Sequence, residues 1–198
     1  DFVMTGAIVN KNINLSNTPL YDAGTIDLKR VAAKVRAQFP IIPSQIEEYV
    51  PGGTKKYELN ATVEQPVMVR LVNYHDKSYL DEPRNYYAQS GAQAKVSQFR
   101  AMTRTSTPDG YTTLVPFFYS YENEWLLENS ANRTFLEYKV PLKDITSGTT
   151  RYYFYSVGIS GKQASNPNGF NKAERNHLYD VTPHIGRIGG TSPEEVVE

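Results

Sequence analysis

The chain of 198 residues contains no cysteine, which excludes disulfides, thiolate metal sites and a thiol nucleophile. Long apolar runs are also missing: no segment approaches the roughly 20 residues that a membrane helix needs. Lys plus Arg and Asp plus Glu both number 21, so the formal charge is zero. A balanced charge lacks the basic excess that phosphate backbones attract, and nucleic acid is therefore not expected as a partner.

Aromatic composition favours strands. Tyrosine (15) outnumbers phenylalanine (8) and tryptophan (1), and tyrosine suits half-buried strands whose rings pack inward while the hydroxyl reaches water. Runs rich in Val, Ile, Tyr, Phe or Thr, each closed by turn residues, recur along the chain. They are residues 2–9, 67–74, 111–121, 133–140, 151–159 and 177–188. These runs predict an all-β protein, with Val67, Val69 and Leu71 on one dry face and 151–159 central in its sheet.

The stretch TIDLKRVAAKVRAQF at 25–39 fits two structures. Helical spacing joins Leu28, Val31, Ala32, Val35 and Phe39, with Asp27 available as an N-cap. Alternation instead joins Val31, Ala33, Val35, Ala37 and Phe39 on one strand face, with a bulge bringing Ile26 and Leu28 to the same face. Periodicity alone leaves both alternatives open.

Turn residues and composition divide the chain. The segment from Leu80 to Lys95 has the weakest pattern, and it predicts a junction between a unit at 1–80 and a unit at 81–190. The last eight residues, 191–198, contain Pro and Glu with little apolar content, so they are predicted to form a flexible tail. Because the first residue is Asp1 and not Met, the chain is interpreted as a processed or trimmed product whose leader lies elsewhere.

Candidate chemical groups are few. His177 and His184 lie seven residues apart, which on a strand places them on opposite faces, so they do not predict a shared metal site. The stretch GISGK at 158–162 has neither the spacing of a nucleophile elbow nor that of a phosphate loop, and a hairpin turn is expected there. Adjacent acids such as Glu47 and Glu48 point apart on an extended chain. No catalytic, cofactor-binding or metal-ligating residue is predicted.

Two stretches carry a family resemblance. In 25–39 the pattern Leu-x-Arg-x-x-Ala-Lys-Val is formed by residues 28–35, and RNHLYDVTPHIGRIGG at 175–190 begins with Arg-Asn-His-x-Tyr and ends with a glycine pair. VRLVNYHDKSYL (69–80) and FFYSYENEW (117–125) lie between them in matching order. Together these motifs resemble those of the Bacteroidales fimbrillins. The residues that carry the two main motifs are Leu28, Arg30, Ala33, Lys34, Val35, Arg175, Asn176, His177 and Tyr179.

The resemblance implies two transthyretin-like β-sandwich domains, and it favours a strand over a helix at 25–39. Fimbrillins have several strands before the segment that matches FVMTG here, so residues 1–80 are expected to be the C-terminal part of a truncated first domain. A sandwich that lacks strands exposes an apolar groove. Arg175 and Asn176 are expected to form the turn into the last strand, with Tyr179, Val181 and Ile185 on its inner face.

The function implied is that of a structural, non-enzymatic subunit of a type V pilus, exported as a lipoprotein precursor and located at the cell surface or outer membrane. Its partners would be other fimbrial subunits, joined by strand donation, together with host or bacterial surface glycans or proteins. The alternatives are a membrane-attached anchor, a tip adhesin, or a carbohydrate-binding module that uses the tyrosines. No cofactor and no nucleic acid are expected.

Overall fold

The computed structural model describes residues 4–6, 29–78, 93–107, 110–125, 131–159 and 172–195. Within these ranges the only regular element besides strands is a short 3₁₀ turn at Pro193–Glu195. The strands are β1 (Met4–Thr5), β2 (Lys29–Arg30), β3 (Ala32–Ala37), β4 (Ile46–Val50), β5 (Gly53–Leu59), β6 (Val67–Val72), β7 (Arg100–Thr107), β8 (Gly110–Leu114), β9 (Phe117–Tyr121), β10 (Asn123–Glu124), β11 (Phe135–Asp144), β12 (Thr150–Gly158), β13 (Lys172–Ala173) and β14 (Leu178–Val181). The predicted all-β class is confirmed.

Strand β11 organises the larger sheet. It pairs along nearly its whole length with β12 on one edge. Its other edge is shared by β6, which pairs with Phe135–Lys139, and by β5, which pairs with Leu142–Asp144. Strands β7 and β8 continue the sheet beyond β6, and β4 continues it beyond β5.

A second sheet contains β14, β3 and β9 in that order. Strand β3 pairs in parallel with β14 and antiparallel with β9. Both sheets contribute to one hydrophobic core, in which Val35 and Phe118 of the smaller sheet join Leu71, Leu136 and Tyr155 of the larger one. Two sheets that share a core in this way are consistent with a β-sandwich; the transthyretin-like detail stays a prediction.

The alternation of residues determines which faces are buried. Val31, Ala33, Val35 and Ala37 are at most 1% exposed, and the residues between them are only half-buried, so the strand alternative at 25–39 is confirmed for its described part. Ile26 and Leu28 of the suggested bulge lie outside the described residues. The predicted dry face of β6 is likewise confirmed, because Val67, Val69 and Leu71 are fully buried.

The pairing crosses the predicted junction near residue 80. Strand β6, before it, pairs with β7 and β11, and strand β3 pairs with β9 and β14. The described strands on both sides therefore share two sheets and one core, whereas the sequence predicted a separate sandwich on each side. Residues 79–92, at the junction itself, lie outside the described part.

Three local expectations need correction. The predicted run at 111–121 is split at Pro116, so that β8 belongs to the larger sheet and β9 to the smaller one. Strand β12 is not central among the described residues, where β11 is its only strand partner and Phe154 adds a single bridge to Gly190. Part of the predicted flexible tail is folded: the turn Pro193–Glu195 packs against β12.

Candidate functional site

The two motif stretches lie side by side. Strands β3 and β14 form a parallel pair in which Lys34 is the register partner of Leu178, and Val35 that of Tyr179. The amide of Lys34 donates a hydrogen bond of 2.9 Å to the carbonyl oxygen of His177. The residues that carried the family resemblance thus form one continuous patch, although Leu28 lies outside the described residues.

Each described motif residue has an identifiable position. Ala33 and Val35 are in the core, while the Lys34 ammonium lies 4.0 Å from the centre of the Phe117 ring on the outer face. Arg30 is exposed and is the register partner of Met4 in the short β1–β2 pair. These positions serve packing and pairing.

Arg175 and Asn176 form the turn that leads into β14, as predicted. Asn176 has a φ of 62°, in the left-handed region where Asn is among the few residues tolerated, and its amide donates to the carbonyl oxygen of Ala32 over 3.1 Å. The hydroxyl of Tyr179 accepts a hydrogen bond of 2.8 Å from the amide of Glu174. The inner-face expectation holds, since Val181 and Ile185 are buried and Tyr179 packs against the core.

Arg175 also forms a largely buried ion pair with Glu122. Its Nε donates to Glu122 Oε2 over 3.2 Å, and a terminal nitrogen reaches both Glu122 Oε1 and Ser78 Oγ. The two charged side chains are 16% and 12% exposed. The contact joins the turn before β14 to the segment between β9 and β10. Glu122 could not be predicted as the partner, because the two residues are 53 positions apart and no local pattern links them.

His75 lies beside this ion pair and is 4% exposed. Its ring Nδ1 is 2.7 Å from the carbonyl oxygen of Glu122, and its amide donates to Ser120 Oγ over 3.0 Å. Removal from water lowers the pKa of His75, although the nearby Glu122 carbonyl and the charges of Glu122 and Asp76 oppose the shift. The neutral ring therefore carries its proton on Nδ1, which a carbonyl oxygen requires.

The remaining polar candidates are separate from each other. His177 and His184 are exposed; Nδ1 of His177 lies 2.9 Å from the carbonyl oxygen of Arg175. Glu47 pairs with Lys56, and Glu48 accepts a hydrogen bond from the hydroxyl of Tyr57, so these adjacent acids do point apart. In the part of the chain that the structure describes, no group of three or more His, Asp or Glu residues is placed to hold a metal ion.

An apolar groove of about 330 Å³ opens at one end of the sandwich. It is lined by Phe39, just after β3, by Leu59 and Met102 of the larger sheet, and by Pro66 on the loop before β6. The guanidinium of Arg104 lies 5.6 Å from the centre of the Phe39 ring. On the loop that joins β5 to β6, Val63 is 87% exposed at the rim.

A strand edge without a strand partner among the described residues lies beside this groove. Strand β7 pairs with β6 only from Arg100 to Met102. Its next five residues, Thr103 to Thr107, pair with β8 on one edge, and no strand among the described ranges pairs with their other edge. A strand edge with free N–H and C=O groups can accept another extended segment.

These features define an all-β protein whose described motif residues serve packing, pairing and turn formation. No protein-family model matches the chain. Two curated proteins that match it are both major fimbrium tip subunit FimD of Porphyromonas gingivalis, one from a defined strain, and each is 27% identical over 197 residues. The similarity covers 99% of this chain and 25% of each relative, so the chain spans about a quarter of the length of the curated relatives it matches.

The predicted resemblance to fimbrial proteins is confirmed by these comparisons. Among the described residues no helix is both long and apolar enough to cross a membrane.

Proposed function

We propose that the chain forms part of a fimbrial subunit that is joined to its neighbours by strand addition, and that it catalyses no reaction. Similarity to a fimbrium tip subunit along 99% of the chain supports the fimbrial role. Export as a lipoprotein precursor by way of the outer membrane belongs to the same proposal. So does a position at the fimbrial tip, which the name of the relatives favours over an anchor or a shaft.

The observation that carries strand addition is the open edge of β7. Five residues, Thr103 to Thr107, have a strand partner on the β8 side alone within the described ranges. An incoming extended segment would satisfy the backbone groups on the other side. Because Phe39 and Leu59 line the neighbouring groove and are only partly buried, the same segment would also cover apolar surface.

The groove determines what the incoming segment should contain. Phe39 and Leu59 offer an apolar surface to every second side chain of a strand, since successive side chains point to opposite faces. The best donor is therefore a segment with alternating apolar residues.

Position-specific crosslinking tests this proposal. A photoreactive amino acid at Val63, on the groove rim, should form adducts with a neighbouring subunit in assembled fimbriae. The control is the same amino acid at Leu178, which is 58% exposed on the outer face of the smaller sheet. Equal adduct yields at both positions, or none at Val63, would contradict strand addition at the groove.

Location along the fimbria is tested separately. Immunogold labelling of surface-exposed epitopes on intact fimbriae should place gold particles at the fimbrial ends. Labelling along the shaft would support a repeating subunit, and labelling only at the cell surface would support an anchor. Binding of the chain to an array of host and bacterial glycans tests the adhesion role.

A further inference from the structure

Strand β12 has a long outward edge that meets the chain's own C-terminal segment at one point. Phe154 and Gly190 exchange two backbone hydrogen bonds, of 2.9 and 3.1 Å. Since alternate residues of a strand direct their backbone groups to the same side, Tyr152 and Ser156 present their N–H and C=O groups to that edge as well. The segment therefore covers the middle of an edge that is otherwise open within the described residues.

Two adjacent glycines make this contact possible. A Cβ atom on Gly189 would lie 2.5 Å from the Phe154 carbonyl oxygen and 2.8 Å from Cζ of Tyr155. A Cβ atom on Gly190 would lie 1.8 Å from the Glu195 carbonyl oxygen. No other residue type fits at either position without displacement of backbone, so the segment is shaped to this edge.

Side chains fasten the segment on both sides of the glycine pair. The Tyr155 hydroxyl donates to the Arg187 carbonyl oxygen over 3.0 Å and accepts from the Gly189 amide over 3.1 Å. Beyond the glycines, the Thr191 hydroxyl donates to Glu195 Oε2 over 2.7 Å, which closes the turn at Pro193–Glu195. Tyr155 is 5% exposed, so the hydrogen bonds on one side of the glycine pair are made by a core residue.

We propose that residues 187–195 form a clasp that protects the β12 edge from pairing with a second copy of this chain. An uncovered edge of nine residues is a template for pairing between identical molecules, and covering it with a loop is a recognised form of protection. The clasp does this at Phe154, in the middle of the edge. This inference concerns a different edge from that of β7 and does not depend on the proposed function.

Gly190→Ala and Gly186→Ala are a matched pair that tests the clasp. Both change one glycine in the same segment, but a Cβ atom on Gly186 meets no atom within 4 Å. In the Gly190→Ala chain, hydrogen exchange of a peptide spanning β12 should accelerate at least tenfold, and sedimentation should show dimers at concentrations where the parent and Gly186→Ala chains are monomers. Unchanged exchange, or faster exchange without association, would overturn the proposal.

Two further variants keep the test decisive. If Gly190→Ala does not fold, Thr191→Val removes the hydrogen bond to Glu195 without a steric clash, and the same two measurements apply. If dimers form, a second substitution, Ser156→Pro, should abolish them, because proline lacks the outward N–H and is tolerated on an edge strand. Dimers that persist with Ser156→Pro would show that association uses another surface, which contradicts the proposal.

Discussion

Arg36 and Asp180, 144 residues apart in the sequence, form an ion pair across the parallel strands β3 and β14. Gln38 also donates to Asp180, over 2.7 Å, and the hydrogen bond from Arg36 is the main reason that the pKa of Asp180 lies below its usual value. Both charged side chains are more than a third exposed. The contact marks the register of the pair, while the buried face beneath it supplies most of the stability.

The first prediction compares how much the ion pair and the buried face each contribute to stability. Asp180→Asn should change the free energy of unfolding by at most about 1 kcal/mol, because solvent screens exposed ion pairs. Val35→Ala removes two buried methyl groups at a position with 0% exposure and should cost about 2 kcal/mol or more. Urea denaturation of both variants makes the comparison. A larger loss for Asp180→Asn would show that the ion pair, and not the core face, holds the strands together.

A second prediction concerns the turn before β14. Asn176 has a φ of 62° and is exposed, so its backbone conformation matters more than its contacts with the core. Asn176→Val should destabilise the protein by roughly 1–2 kcal/mol, because a β-branched residue is strained in the left-handed region. Asn176→Gly should be within about 0.5 kcal/mol of the parent. Thermal unfolding measures the stability of both variants. Equal losses of stability in the two would show that the Asn side chain, and not the backbone conformation, is what matters.

Local pattern made much of the fold predictable. Alternation in β6 gave the correct buried face, and the residue types at Arg175–Asn176 gave the turn, since each depends on neighbours in the sequence. In β3 the pattern left a helix and a strand open, and only the family resemblance favoured the strand. The pairing of strands across residue 80 was not predictable, because a strand's pattern does not specify its partner. The pattern predicted that β12 is central because both of its faces begin with apolar residues. Among the described residues, the backbone of Phe154 instead pairs with Gly190 of the clasp and not with another strand of the sheet.

The candidate site was predictable only to the same extent, because its contacts join residues that are far apart in the sequence. Arg175 was identified as a motif residue, but its partner Glu122 lies 53 residues away and has no local signature. The groove of a truncated first domain stays a prediction. The edge of β7 was not predictable, because it follows from β7 extending beyond the first residue of β6.

The third prediction tests the Arg175–Glu122 pair. Arg175→Met should destabilise the protein by about 3 kcal/mol, because it leaves the Glu122 carboxylate largely buried without its cation. Adding Glu122→Gln should recover part of that loss. The matched control is Lys56→Met in the pair with Glu47, where both side chains are nearly half exposed and the expected loss is below about 1 kcal/mol.

Chemical denaturation of the parent, Arg175→Met, Glu122→Gln and the double variant provides the double-mutant cycle, and Lys56→Met is measured beside them. A coupling between Arg175 and Glu122 no larger than that expected for the exposed pair would contradict a structural role for this contact. Assays of the same variants for hydrolytic activity test the non-enzymatic proposal. An activity that disappears with Arg175→Met while the fold is retained would assign chemistry to this cluster.

The last prediction is a pH dependence that arises from His75. Burial holds the pKa of His75 in the folded protein below its unfolded value near 6.5, so the unfolded chain binds more protons as the solution becomes acidic. Stability should therefore fall as the pH drops below about 6.5, by at most about 1.4 kcal/mol per pH unit for one group, and level off below the folded pKa.

His75→Asn should flatten this slope, because the amide nitrogen can donate to the Glu122 carbonyl oxygen without titrating. Urea denaturation at intervals from pH 8 to pH 5 measures both proteins. A parent chain that gains stability on acidification through this range, or a His75→Asn chain with the parent's slope, would mean that His75 accepts a proton as readily in the folded protein as in the unfolded one.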